Sequence, residues 1–361
     1  MTSPLVLLTG ATGFVGAHVL HELITNNHRV IAPIRPCSLA KTDFFLKKYI
    51  NHPGALQFVE VADQTDTAVM LPLLEGVTAV IHTASVIPNG VQPARGVEKD
   101  MLEPVLGMIT ALFEACLQVD TVKRFVFTSS TVAVYGTIDL TKKEYTEDDW
   151  NPLTLAETTK KWDPVKAYSS TKIFGEKRLA ELTKENKPAF DVVVLCLTMV
   201  LGKSHHDVTN VLSLGGPAGA LWFYSLLNQP QVPHNGYPQF INSADAAIAH
   251  FAAITAPLTR TPDVVHRYLI SGGTFSFHRV IRSLLKHYPQ LEGILPTADP
   301  AKYDEVFPSF ATEKAKKELG VRLDKGWEQS IVEELFGAVA QEVKLGRSWS
   351  DFGCASMVNK D

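Results

Sequence analysis

The stretch Leu5–Val19, LVLLTGATGFVGAHV, decides the fold. Leu5 to Leu8 read as a short, fully apolar strand, and the residues after Gly13 open an amphipathic helical pattern over 14–26. Between them Gly10, Gly13 and Gly16 stand three residues apart. Each glycine has its own reason in that setting: a tight turn at Gly10, close approach of an anion to the backbone at Gly13, and close helix–strand packing at Gly16. A helix that opens directly behind a strand presents free amide N–H groups and the positive end of its dipole. Thr12, Phe14 and Val15, with the three glycines, are therefore candidates to hold a diphosphate, and the pattern predicts a dinucleotide-binding unit.

The rest of the first two hundred residues repeats the alternation. Further strands are expected at Arg29–Ile34, Gln57–Val61, Ala79–His82, Arg124–Thr128 and Asp191–Leu195, with helical patterns near 98–118 and 168–185. Continuous apolar strands alternating with helices predict an α/β fold, a doubly wound parallel Rossmann-type sheet covered on both faces. After Gly202 the composition shifts to clustered Gly, Pro and His, as in Gly215-Gly216-Pro217. Phe240–Ala256 reads as a strand end and a helix, Arg267–Ser271 as another buried strand, and Thr274 onward and Thr312–Gln341 as helical. The expected organisation is a nucleotide-binding domain over 1–200, to which 238–272 returns. A smaller, partly interleaved C-terminal substrate lobe takes 201–237 and 273–345, and 346–361 forms a tail.

The end of the second strand reads on the identity of the dinucleotide. The order Ala32-Pro33-Ile34-Arg35 puts a guanidinium where NAD-preferring sites carry a carboxylate, and no carboxylate follows until Asp43. A guanidinium binds a 2′-phosphate through charge-assisted forked hydrogen bonds, so Arg35 points to NADP(H), whereas the spacing of Lys41 from Arg35 leaves its part open.

Tyr168 and Lys172, four apart at the start of a helical stretch, share one helix face. A free phenol, with a pKa near ~10, is too weak an acid for work at neutral pH, and a neighbouring ammonium lowers it. Upstream, RFVFTSS (124–130) is an apolar strand whose carboxyl end carries hydroxyls, and open α/β sheets bind ligands beyond the carboxyl ends of their strands. Ser130 is a candidate to donate to a carbonyl oxygen as negative charge builds on it. Together Ser130, Tyr168 and Lys172 form a candidate catalytic trio for reduction of a ketone or aldehyde.

These segments, with HTAS (82–85), FINSADAAIAH (240–250) and RYLISGG (267–273), resemble the extended branch of the short-chain dehydrogenase/reductase superfamily over Leu5 to about Glu342. The likeness is to dihydroflavonol 4-reductase and related aldehyde and methylglyoxal reductases. It implies NADPH as hydride donor and a Ser-Tyr-Lys mechanism, and the spacing of Ser130 ahead of Tyr168 favours it over Ser129. It further implies Asp63 at the adenine end, Thr83 and Ala84 along the cofactor channel, and Val200 near the nicotinamide carboxamide. Cys196-Leu197, Lys203 and Met108 depart from the group's usual Asn-Pro, Pro and Gly, and helix 98–118 carries no Asn.

Composition is consistent with such an enzyme. The chain has 361 residues, 45% apolar and 20% charged, with a net charge of −4. No basic cluster suggests nucleic acid, and no run of about 18 apolar residues suggests a membrane span. Cys37, Cys116, Cys196 and Cys354 form no close pair, which fits a reducing compartment and a cytoplasmic enzyme. The adjacent His205 and His206 have no matching ligand pattern, so no metal is expected and they read as a surface loop. The expected partner is a small-molecule carbonyl substrate. Its pocket would be walled by residues near 86–90, 131–135 and 204–227, among them Trp222, Phe223, Tyr224 and Leu226. The competing readings are an NAD-dependent sugar-nucleotide epimerase or dehydratase, which Arg35 opposes, and a non-catalytic NADP-binding protein, which has no need of the trio.

Overall fold

The computed structural model describes residues 3–88, 93–205, 226, 229–234, 236–331 and 333. Seven parallel strands form the main sheet: β1 (Leu5–Thr9), β2 (Arg29–Ile34), β3 (Leu56–Glu60), β4 (Ala79–His82), β5 (Arg124–Ser130), β7 (Asp191–Leu197) and β10 (Val265–Ile270). Their spatial order is β10-β7-β5-β4-β1-β2-β3. Alternate residues of each strand serve opposite faces, as the pleat requires. Val6, Leu8, Ile81, Val126 and Val193 join one core with α1 (Phe14–Thr25) and α7 (Ser243–Thr255). Leu7, Val80, Phe125, Phe127 and Val194 join the other with α4 (Glu103–Leu117) and α6 (Pro164–Asn186). Burial on both faces explains why these strands carry no polar–apolar alternation.

Strand order reverses between β1 and β4, and this switch point leaves a crevice beyond the carboxyl ends of the strands. The Gly10 turn, Thr83–Ala84 and Ser130 all follow from or end those strands. The smaller lobe holds a three-stranded sheet of β8 (Met199–Leu201), β9 (Gln239–Asn242) and β11 (Gly273–Thr274). Its own core is built around Phe240, Phe275 and α8 (Phe277–His287). Interleaving is finer than the sequence blocks suggest. Within 238–272, β9 pairs in the small sheet, whereas α7 and β10 return to the main one.

Several expected boundaries move, each for a local reason. The helix expected at 168–185 begins at Pro164, because Asp163 accepts from the Val165 and Lys166 amides and proline suits the first helical position. Tyr168 thus sits past the first turn, not at the start. The expected helix over 312–341 is broken: α9 (Glu313–Leu319) ends at Gly320, with φ 68°, and helix resumes at 327. The helix expected from Thr274 starts at Phe277, capped by Ser276. Substitution Asp163→Ala is expected to cost about 1 kcal/mol. Urea unfolding checks this, and an unchanged midpoint would remove the cap from the account of α6.

Candidate active site

Gly10 adopts φ +70°, and a Cβ there would lie 2.6 Å from Thr83 Oγ1 and 2.8 Å from the Ala84 amide. A Cβ on Gly16 would lie 2.1 Å from the Gly10 carbonyl oxygen. Both positions therefore demand glycine, one for turn and space, the other for space alone. Gly13 caps α1 in an extended conformation, with no side chain bonded to the helix end and no acidic residue in the first turn. Thr9 and Thr83 brace this turn from behind. The Thr83 hydroxyl donates to the Thr9 carbonyl at 2.7 Å, the Ala84 amide donates to Thr9 Oγ1 at 3.2 Å, and Thr9 Oγ1 meets His82 Nδ1 at 2.8 Å. The amide end, the missing side chains and the lack of a competing carboxylate all fit a bound diphosphate.

Arg35 is exposed directly after β2. Asp63 is exposed after β3, where its Oδ1 accepts from the Thr65 amide at 2.8 Å and hydroxyl at 2.6 Å. These bonds hold its carboxyl below the usual range. Val200 is half-buried on β8, paired with Ile241 of β9.

Tyr168, Lys172 and Glu176 occupy i, i+4 and i+8 of α6, one face facing the end of β5. Gly175 lets the helix approach closely, since a Cβ there would meet Ile109 at 3.1 Å and the Phe127 ring at 3.2 Å. Lys172 Nζ donates to the Thr128 carbonyl at 2.9 Å and lies 5.7 Å from the Tyr168 ring centre. Ser130 accepts from the Val132 amide at 3.3 Å and is hydrogen-bonded to the Tyr168 phenol. Ser129 is turned the other way, and its hydroxyl donates to Glu176. The structure thus brings Ser130, Tyr168 and Lys172 together at the crevice and leaves Ser129 in the interior.

The electrostatics differ from the expectation that Lys172 lowers the phenol. Burial pushes Tyr168 up to about 12, opposed by the Ser130 hydrogen bond. Burial also brings Lys172 down to about 8, opposed by Glu176 and Cys196. Packed at the crevice, the phenol loses the hydration its phenolate needs, and this outweighs the Ser130 hydrogen bond. Tyr168 is consequently a protonated group across the neutral range, suited to giving a proton.

Some participants lie within the quoted segments HTAS, FINSADAAIAH and RYLISGG without being among the expected site residues. His82 is buried, stacked on Phe127 and held neutral down to about pH 3 by burial and by Lys172. His250 of α7 must carry its proton on Nδ1, which faces the Ala246 carbonyl at 2.7 Å, so Nε2 accepts from Thr128 Oγ1 at 2.8 Å. Glu176 and Arg267 were not among the expected site residues, though the YSSTKIFGE spacing places Glu176 on the Tyr–Lys face. His205, expected in a surface loop, is half-buried instead. Its ring lies 4.1 Å from that of His18 and 4.7 Å from that of His21, and Lys48 Nζ is 3.1 Å from its Nδ1. A pocket wall formed by Trp222, Phe223 and Tyr224, like His206 and most of 204–227, lies outside the described residues; Leu226 is fully buried in the small lobe's core. Among the described residues there is no cluster suited to a metal ion, and no helix long and apolar enough to cross a membrane.

Comparison with known proteins identifies the family and the fold. The model of the NAD dependent epimerase/dehydratase family matches residues 6–265. An uncharacterized oxidoreductase of Schizosaccharomyces pombe is 31% identical over 86% of this chain and 89% of its own length. Aldehyde reductase 2 of Sporidiobolus salmonicolor is 26% identical over 94% and 96%. The structure of yeast methylglyoxal/isovaleraldehyde reductase Gre2 complexed with NADPH superposes with a TM-score of 0.76 at 23% identity, covering 95% of this chain and all of that one. On the match of the family model to most of its length, the chain belongs to the NAD-dependent epimerase/dehydratase family, the extended branch of the short-chain dehydrogenases/reductases that its motifs resemble.

Proposed function

We propose that the protein reduces a small ketone or aldehyde to the alcohol with NADPH. The observation that carries this reading is the convergence of a proton-bearing Tyr168, Ser130 and Lys172 beyond the carboxyl ends of the strands, on the same side of the sheet as a helix N-terminus that no side chain caps. Gly10, Thr12, Gly13, Phe14, Val15 and Gly16 would hold the diphosphate, and Arg35 the 2′-phosphate. Asp63, Thr83, Ala84 and Val200 would line the remainder. The dinucleotide, when held by these residues, would supply a hydride. The chain's own work is to place and protonate the carbonyl oxygen. Ser130 and Tyr168 donate hydrogen bonds to it, which strengthen as it becomes an alkoxide in a water-poor crevice. Tyr168 then gives up its proton, and the charged Lys172 stabilises the phenolate left behind. The names of relatives such as ketoreductase and aldehyde reductase are in keeping with this chemistry.

The test is a panel of aldehydes and ketones assayed with NADPH and NADH in parallel. Oxidation of NADPH coupled to alcohol formation is expected. Tightly retained NAD, with interconversion of a nucleotide sugar and no net NADPH consumption, would replace this reading with an epimerase. Substitution Arg35→Ala is expected to reduce the preference for NADPH over NADH by roughly 10–100-fold, the worth of one or two charge-assisted hydrogen bonds. An unchanged ratio of the two kcat/KM values would take the 2′-phosphate away from Arg35.

A further inference from the structure

Glu176 is the member of the α6 stripe that the proposed reaction leaves idle, yet its placement is costly. Its side chain is 2% exposed and ion-paired at 2.7 Å with Arg267, itself 9% exposed. Desolvating two opposite charges costs several kcal/mol per ion, and matched apolar residues would fill the same space without that penalty. The pair is nevertheless elaborately held. Arg267 also donates to the carbonyls of Glu147 at 2.5 Å and Asp149 at 2.8 Å, and lies 4.0 Å over the Trp150 ring. Glu176 accepts from Ser129 and, at 3.4 Å, from the Cys196 thiol. Three consecutive residues of β5 thus each address one member of the stripe. Ser130 meets Tyr168, Ser129 meets Glu176, and the Thr128 carbonyl takes Lys172.

We propose that Glu176, locked in place by Arg267, is a positioning residue for the reaction: its carboxylate, one turn along α6 from Lys172, holds that ammonium charged and in register with Tyr168. The inference rests on the reductase reading, because it matters only if Lys172 must be charged beside a proton-giving phenol. Other titratable groups face this cluster from every neighbouring element, namely His82 of β4, Cys196 of β7, Arg267 of β10, His250 of α7 behind Thr128, and Glu147. Burial keeps His82 and His250 neutral above about pH 3 and 4 respectively, and holds the Cys196 thiol protonated. Lys172, brought down to about 8 by burial with Glu176 opposing, is left as the group that changes charge near pH 8.

The experiment is the pH profile of kcat for NADPH-dependent carbonyl reduction in the wild type, Glu176→Gln, Glu176→Asp and Arg267→Met, with Tyr168→Phe as control. Activity should fall as pH rises through the Lys172 pKa. In Glu176→Gln, which keeps the hydrogen-bonding shape and loses the charge, this alkaline limb should move down by about one pH unit, whereas Glu176→Asp should keep it near the wild-type position. Arg267→Met leaves the carboxylate to Lys172 alone and should move the limb up, which provides a reading of opposite sign if the Gln variant does not fold. A limb that stays put in Glu176→Gln, or shifts equally in Gln and Asp, or moves down in Arg267→Met, overturns the proposal. With Tyr168→Phe inactive, such a result removes the role of Glu176 alone. A Tyr168→Phe variant that still turns over removes the reductase reading as well.

Discussion

Tyr168→Phe is expected to lower kcat for carbonyl reduction by roughly 10³-fold, within the range for loss of a general acid, while NADPH binds as in the wild type. The separation follows from where the hydroxyl is. It meets Ser130 at the end of β5, and the ring stays packed on α6 above Lys172. Losing one such hydrogen bond should cost stability only about 1 kcal/mol, because Ser130 keeps its bond from the Val132 amide. A loss of this size in kcat is therefore not a loss of fold. The phenol, pushed up to about 12, does not titrate between pH 6 and 9. Any limb in that range belongs to another group, and Lys172 at about 8 is in place to produce it. NADPH titration by fluorescence alongside steady-state rates checks the claim. Retained turnover would exclude Tyr168 from the chemistry, and lost NADPH binding would make it a binding residue.

Gly16→Ala should destabilise the protein by roughly 1–3 kcal/mol, the usual cost of forcing a methyl group into a filled space. Two effects oppose each other. Alanine is the better helix former by about 1 kcal/mol, which favours the substitution. The new Cβ, however, would sit 2.1 Å from the Gly10 carbonyl oxygen and 2.7 Å from its carbon, and these are backbone atoms of the turn itself. They cannot rotate away as a flexible side chain would, so repulsion prevails and the first turn of α1 must move off β1. That movement pulls the helix amides from the anion they are proposed to hold, and NADPH affinity should fall at least tenfold, which corresponds to about 1.4 kcal/mol. Urea unfolding and NADPH titration test the two consequences separately. An unchanged midpoint with unchanged affinity would mean that α1 and β1 are not packed as described.

Much of this architecture can be read from local pattern. The strands at β1, β2, β4, β5 and β7 announce themselves because burial on both faces of a parallel sheet leaves runs of apolar residues. The glycine spacing marks the first turn because no other side chain can occupy Gly10 or Gly16. Boundaries were less legible where one residue overrides a pattern. Gly320 cuts a stretch that reads as continuous helix, and Asp163 with Pro164 starts α6 a full turn early. His205 also reads differently in space, since its neighbours His18, His21 and Lys48 come from distant parts of the chain.

Sequence alone determined the class of fold, the glycine turn proposed to hold a diphosphate and the residue types available for acid–base chemistry, because each depends on neighbours three or four positions away. Tertiary structure decided the charge states. Whether Tyr168 is a phenol or a phenolate, and whether Lys172 keeps its proton, depends on how much water the crevice excludes and on a carboxylate anchored by Arg267 from the edge strand 91 residues further along. Desolvation and long-range pairing are properties of packed surfaces, and no stretch of chain contains them by itself.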